Sequence, residues 1–111
     1  MNFNQYQELC KTTAIYPKVG NGTLSLYPFL GLGGEVGEVL EIVKKTERDA
    51  AGVLNEERKT HLIKELGDVL WYISAIATDL NIEFNEVAQT NIDKLAKRKE
   101  NNTLNGSGDN R

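Results

Sequence analysis

An all-α fold, an antiparallel helical bundle of about four helices, is what this 111-residue sequence predicts. Three observations carry that expectation. Four stretches place apolar residues at helical spacing. No stretch alternates apolar and polar residues as a half-buried strand does. One block is written twice: Glu35-Val36-Gly37-Glu38-Val39-Leu40 returns thirty positions later as Glu65-Leu66-Gly67-Asp68-Val69-Leu70, both times inside a helical apolar period.

The first helix is expected from about Asn4 to Ala14, with Phe3, Tyr6, Leu9, Cys10 and Thr13 at helical spacing. Tyr16-Pro17-Lys18-Val19-Gly20-Asn21-Gly22 then reads as a loop from its Pro, Gly and Asn content. The second helix starts near Pro28, a natural first-turn residue, and runs to about Asp49. Its apolar positions are Phe29, Leu32, Val36, Val39, Leu40 and Val43. After the polar connection Ala50–Asn55, the third runs from about Glu56 to Leu80. Leu62, Leu66, Val69, Leu70, Ile73, Ile76, Ala77 and Leu80 share one arc, and Asn81 is fit to end it. The fourth runs from about Glu83 to Lys99 with Phe84, Val87, Ala88, Ile92 and Leu95 inward. Residues 1–100 therefore form a single domain. Asn101–Arg111, rich in Asn, Gly and Ser, is a polar C-terminal tail with the default expectation of a mobile terminus.

Composition narrows the class of function. A net charge of −3 argues against a dedicated nucleic-acid binder, which presents a basic face. The lone Cys10 has no intrachain partner, which suits a reducing cytoplasm. It reads as core, since no partnered base stands out in the sequence. No signal segment opens the sequence, and the run Val69–Ala77 is too short to cross a bilayer. A domain this small has a modest core, which oligomerisation would supplement.

The repeated block carries the chemistry. Each residue turns an ideal helix by about 100°. With Glu35 at zero, Leu32, Val36, Val39 and Val43 fall at roughly 40–100°, and Glu38 near 300°. With Glu65 at zero, Leu62, Leu66, Val69 and Ile73 fill the same arc, and Asp68 falls near 300°. Both acid pairs thus sit at the edge of the apolar face. Converging carboxylates repel and lose hydration, and divalent cations remove that penalty. Carboxylate oxygens are the ligands Mg²⁺ prefers, so Glu35, Glu38, Glu65 and Asp68 are the candidate metal ligands. A solvated helix face is the bland alternative for either pair taken alone. Gly37 and Gly67, one inside each pair, favour close approach of another helix or a ligand.

The fourth helix holds a basic counterpart. With Asn91 at zero, Lys94 and Arg98 fall near 300° and 340°, beside the inward arc of Ala88, Ile92 and Leu95. Asn91, Lys94 and Arg98 form a donor stripe suited to phosphate oxygens. Lys45 shares Glu38's phase two turns on and is a further candidate, though Glu41 is also placed to pair with it at i, i+4. Complementing the helix dipole is the competing role for the last-turn cations. His61 lies one turn before Glu65 and reads as a surface or capping residue. The absence of any Glu-x-x-His pair disfavours a ferritin-like di-iron site. Trp71 points to the back of the third helix, where another helix or a subunit would cover it.

G-E-V-G-E followed by K-E-L-G-D-V-L-W-Y resembles the paired E-x-x-E and E-x-x-D motifs of MazG-like nucleotide pyrophosphohydrolases. These belong to the all-α NTP pyrophosphatase superfamily, with dimeric dUTPases and dCTP pyrophosphatases. The likeness extends to N-I-D-K-L-A-K-R on the last helix, to T-A-I-Y-P and to the terminal G-S-G-D-N-R. It implies a hydrolase that cleaves the α–β phosphoanhydride of an NTP or dNTP, releasing the monophosphate and pyrophosphate. It implies Mg²⁺, with Mn²⁺ as a substitute, on Glu35, Glu38, Glu65 and Asp68. It places Tyr72 near the substrate sugar and Asn91, Lys94 and Arg98 on phosphates. Glu38 is the candidate to position or deprotonate the attacking water. A homodimer or dimer of dimers, with no membrane or nucleic-acid partner, is the expected assembly. Tyr16, Lys18 and Tyr27 lie where the superfamily varies most. The rival function is a non-catalytic helical interaction module whose acidic cluster binds structural cations or a basic partner.

Overall fold

The computed structural model describes residues 1–17 and 24–111. Among the described residues there are four helices, α1 (Phe3–Lys11), α2 (Leu26–Ala50), α3 (Glu56–Asp79) and α4 (Phe84–Glu100), and no strand. The all-α expectation is met. The expected loop at Tyr16–Gly22 lies outside the described residues from Lys18 onward.

Local chemistry sets the helix ends. Asn2 and Gln5 form a reciprocal capping box at the start of α1, with both bonds at 2.8 Å. α1 stops at Lys11, three residues earlier than expected. The Thr12 and Thr13 hydroxyls donate to the carbonyls of Leu9 and Cys10 and turn the chain out of the helix. α2 starts two residues before Pro28, which occupies the third helical position; its missing N–H belongs to a turn whose donors have no helical partner anyway. Asn55 caps α3 by accepting from Arg58 N, and Glu56 and Glu57 favour the positive end of the dipole. α3 and α4 end in the same manner, with Asn81 and Asn102 in left-handed conformation. Ile82 N then donates to Ala77 O, and Thr103 N to Arg98 O, both at 2.8 Å.

α2 and α3 pack as an antiparallel hairpin. The face that α2 buries is Pro28, Ile42 and Thr46. These positions lie at roughly 20°, 340° and 20° from Glu35, not on the 40–100° arc. The seam therefore runs along the line of the acid, through Gly31 as well. Gly31 makes room for Tyr72: a Cβ there would lie 2.1 Å from Cε1 of the ring and would displace it. The arc expected as core is only partly covered: Leu32, Val39, Leu62, Val69, Leu70, Ile73 and Ile76 are half-buried and Ala77 is buried, while the rest is open. Val36, Leu40, Val43 and Leu66 are exposed, as are Val87, Ile92 and Leu95 on α4. The sequence's amphipathic stripe marks a surface that this chain covers only in part.

α1 lies across α3 and the base of α4. Buried Gln7 ties the three together. Its Nε2 donates to Thr78 Oγ1 at 3.1 Å and Ile82 O at 2.9 Å, and its Oε1 accepts from Phe84 N at 3.0 Å. Asn4 and Asn85 exchange backbone-to-side-chain bonds of 3.1 and 2.9 Å, and Phe3 stacks on Phe84 with centroids 4.7 Å apart. Cys10 is buried, as expected. Beyond this junction α4 leaves the hairpin, and α2 and α4 have no pair of Cα atoms within 8 Å. The bundle is thus open, with a radius of gyration of 16.9 Å where a compact domain of this length would have about 13 Å. None of the helices in the described residues is long and apolar enough to cross a membrane.

One expectation with two alternatives is resolved here, and one is corrected. Trp71 is covered within the chain: its Nε1 donates to Thr13 Oγ1 at 2.9 Å, and its ring meets Tyr16 and Tyr72 edge-on. The segment 101–111 is not a free tail. Arg111 donates to the carbonyls of Thr103, Leu104 and Gly108, closing a turn in which Gly106 and Gly108 hold positive φ.

Gln7→Ala should destabilise the chain by about 1–3 kcal/mol, because it strands the buried Phe84 N–H and Ile82 carbonyl. Urea unfolding measures this; a loss under about 0.5 kcal/mol would mean that Gln7 is not the clasp.

Candidate functional site

The α2–α3 seam sets three of the four acids together. Glu35, Glu65 and Asp68 each offer a carboxylate oxygen, and these oxygens all lie within 4.8 Å of one another. Two oxygens on opposite sides of an ion with bonds of about 2.1 Å are about 4.2 Å apart. Small side-chain rotations would therefore close the three around a hard cation, and an all-oxygen donor set suits Mg²⁺ or Mn²⁺ rather than a soft metal. Burial pushes the Glu35 carboxyl above its ordinary value, followed by the charges of Asp68, Glu65 and Glu38 and a hydrogen-bond contact with Glu65. That is the electrostatic signature of a cluster lacking counter-charge.

Glu38 does not join the three; like Asp68 it is exposed, whereas Glu35 and Glu65 are half-buried. The helix register explains its relation to them. Gly31 packs beneath Tyr72, and Glu35 stands with Asp68, so one antiparallel register sets Glu38 level with Glu65. His61, read from sequence as a surface residue, is exposed but bonded: its Nε2 lies 3.1 Å from Glu65 Oε1. The i, i+4 spacing was the signal for this contact.

Tyr72 sits at the head of the cluster, with desolvation and then Tyr27 and Glu35 raising its phenol pKa. Tyr16 stacks on Tyr27, with centroids 5.1 Å apart and planes 9° from parallel, and its hydroxyl donates to Asp79 Oδ2 at 2.8 Å. Tyr16, Tyr27, Trp71 and Tyr72 thus form a continuous aromatic wall beside the acids. A Cβ placed on Gly33, Gly34, Gly37 or Gly67 would meet nothing within 4 Å, so the close approach expected at Gly37 and Gly67 is not made by the described residues.

The basic candidates lie elsewhere. Lys45 is 3.8 Å from Glu41 on the exposed back of α2, in the ion pair that the i, i+4 spacing allowed. Asn91 is exposed on α4. Lys94 Nζ lies 3.3 Å from Asp109 Oδ1. Arg98 is buried, and its Nη2 donates to Gly108 O at 3.2 Å and Asp109 Oδ1 at 3.3 Å. Lys94 and then Arg98 hold the Asp109 carboxyl below its ordinary value. Because α4 diverges from α2, one chain does not bring this stripe against the acid cluster. Asp109 was missed as the partner of the stripe, and Arg111 as the residue that holds its turn; the G-S-G-D-N-R run was their only mark in the sequence.

A MazG nucleotide pyrophosphohydrolase domain profile matches residues 25–103, from the cap of α2 to the end of α4. The chain belongs to the MazG nucleotide pyrophosphohydrolase family. It is 43% identical over 115 residues to the Gene 37 protein of Mycobacterium phage L5, with the whole of both chains covered. No solved structure matches the chain.

The raised Glu35 pKa has a consequence for stability. In the metal-free chain the folded form holds this proton more tightly than the unfolded form. The ionised residue is therefore unfavourable to folding at neutral pH, and the penalty is relieved as pH falls through the raised value towards the ordinary one, about 4.3. Glu35→Gln should be more stable than wild type at neutral pH in chelator, with the gap shrinking as the solution is acidified through that window. Denaturant melts of both proteins across pH check this; a gap that stays constant would detach Glu35 from the cluster's electrostatics.

Proposed function

We propose that the chain is a Mg²⁺-dependent nucleoside triphosphate pyrophosphohydrolase, splitting an NTP or dNTP at the α–β phosphoanhydride into the monophosphate and pyrophosphate. The observation that carries this reading is the triad of carboxylates gathered along the α2–α3 seam, in a chain whose family acts on nucleotides. A triphosphate and these carboxylates repel one another, so the pair is compatible only with divalent ions between them. Glu35, Glu65 and Asp68 would hold the metal, with Glu38 as the fourth ligand. Bound Mg²⁺ supplies charge neutralisation of the phosphates and a lowered pKa for coordinated water.

The chain's own groups have distinct tasks in this scheme. Glu35 and Asp68 face one another across the seam and fix the spacing of the ligand oxygens. His61 holds Glu65 through Oε1, leaving its second oxygen free for coordination. Glu38, solvent-facing and level with Glu65, is placed to position an attacking water and take its proton. Tyr72, locked over Gly31, presents a flat edge to the sugar, and the Tyr16–Tyr27 stack continues that wall for the base. Exposed Asn91 and half-buried Lys94 supply donors to phosphate oxygens, with Arg98 behind them. Lys45 joins them only by leaving Glu41.

Assembly is part of the proposal. Val36, Leu40 and Val43 on α2, Leu66 on α3 and Val87, Ile92 and Leu95 on α4 leave apolar surface open, and the basic stripe stands away from the acids of its own hairpin. A homodimer or dimer of dimers would cover the arcs and bring a stripe to a cluster. Large exposed apolar faces of this kind mark association surfaces.

Glu38→Gln and Asp68→Asn should each lower Mg²⁺-dependent pyrophosphate release from a panel of NTPs and dNTPs by roughly ten-fold or more, on the scale of mutants that remove a group acting in the transition state, with helicity unchanged. Wild-type rates in both would dismiss the assignment and favour a non-catalytic module. At about 100 times its dissociation constant, Mg²⁺ should raise stability by about 2.7 kcal/mol; superimposed melts in chelator and in Mg²⁺ would show that no ion binds.

Sedimentation should show a dimer or tetramer at micromolar concentration. Leu40→Asp and Ile92→Asp, each placing a charge on an open arc, should shift it to monomer. Monomeric wild-type protein would end the assembly proposal.

A further inference from the structure

The turn that follows α4 is built around its basic stripe, in a way that separates the two cations. Arg98 is covered: its side chain is only 7% exposed, and its Nε is buried without a hydrogen-bond partner among the described residues. Both of its polar contacts, to Gly108 O and Asp109 Oδ1, come from Nη2 and reach into the turn. Lys94 is 35% exposed, so its ammonium remains available to a ligand while touching the same Asp109 oxygen.

Asp109 itself is 83% exposed. Ion pairs this wet add little to stability. The turn does not depend on Asp109 for its shape. Arg111 holds it through the carbonyls of Thr103, Leu104 and Gly108, and the Thr103 amide fastens it to Arg98 O. Gly106 and Gly108, at φ 135° and 83°, allow the bends. A preformed scaffold thus places one carboxylate between a buried cation and an open one.

We infer that Asp109 is a positioning residue: anchored by buried Arg98, it holds the Lys94 ammonium where a substrate phosphate is bound. This rests on the reading of Lys94 as a phosphate contact. A lysine has four side-chain torsions to freeze on binding, and restraining them in advance removes part of that cost. The single Asp109 oxygen is 3.3 Å from each cation, longer than a tight charge-assisted bond, so the lysine keeps donors for an anion. With two cations and one carboxylate, the group retains a net positive charge. Arg98 then serves phosphate binding through Asp109 rather than by contact.

The test is steady-state kinetics on the full-length chain with Mg²⁺ and its best NTP, together with calorimetric binding of inorganic tripolyphosphate. Asp109→Asn should raise KM, and the tripolyphosphate Kd, by roughly five-fold, the scale of one side chain's ordering. Its kcat and melting temperature should stay near wild type. Asp109→Glu should restore part of the loss, and in a Lys94→Ala background Asp109→Asn should add nothing further. Unchanged KM and Kd in Asp109→Asn, with both raised by Lys94→Ala, would overturn the inference while leaving Lys94 on the phosphates. Additive effects of Asp109→Asn and Lys94→Ala would overturn it too. If wild type hydrolyses no nucleotide yet binds tripolyphosphate in an Asp109-dependent way, the enzymatic reading fails and the positioning role stands. No tripolyphosphate binding by wild type would remove both.

Discussion

Mutual repulsion among carboxylates held in a packed helix seam is the constraint around which this chain is arranged. Helices pack by burying apolar side chains, yet here the line facing α3, buried at Pro28, Ile42 and Thr46, also carries the half-buried Gly31 and Glu35. The seam tolerates this because its ends are dry and well fitted. Pro28 and the Gly31–Tyr72 contact close one side, and Ile42 and Thr46 the other, with Thr46 returning its hydroxyl proton to Ile42 O. The acids occupy the stretch between. A hairpin so built is under electrostatic load until counter-charge arrives.

The same choice leaves the apolar arcs short of cover. Once α2 turns its acid line to α3, the 40–100° arc is left partly open, with Val36 and Val43 exposed and Leu32 and Val39 half-buried, and α4 does not come back to cover it. This separates what each part of the sequence encodes. The seam residues are small, polar or singular; the arc residues are the periodic Val and Leu positions. Hydrophobic periodicity found the helices and their amphipathic faces correctly, because both interfaces of a helix follow the same 3.6-residue repeat. It overstated how deeply this chain buries those faces, because a repeat records which residues share a face and not how completely that face is covered.

What was legible follows the range of the interaction. The helix class, the Asn81 stop, the Glu41–Lys45 pair and the coincidence of Glu35, Glu65 and Asp68 all depend on spacing within a helix or on a repeated block. Glu38 was expected with the other acids and lies outside their group, since phase alone does not fix a side-chain direction. Trp71 was turned outward by its own helix's geometry but is covered by residues fifty-eight positions earlier, and no periodicity reports that. The turn after α4 looked mobile because Asn, Gly and Ser signal flexibility. Here the glycines serve positive φ, and a single arginine satisfies three carbonyls.

The clasp made by α1 has a bearing on the order in which the chain folds. Gln7 and Asn4 bond to residues 71 to 81 positions away, whereas α2 and α3 meet across a five-residue connection. Closing a long loop costs entropy that only its final contacts return, and local pairings form sooner. The hairpin that holds the acids is therefore the early unit, and α1 docks late, when the turn between α3 and α4 already exists for Gln7 to read. Divalent ions in the folding medium would then act on the nucleus of the fold itself, and α1 would seal a cradle that is already made.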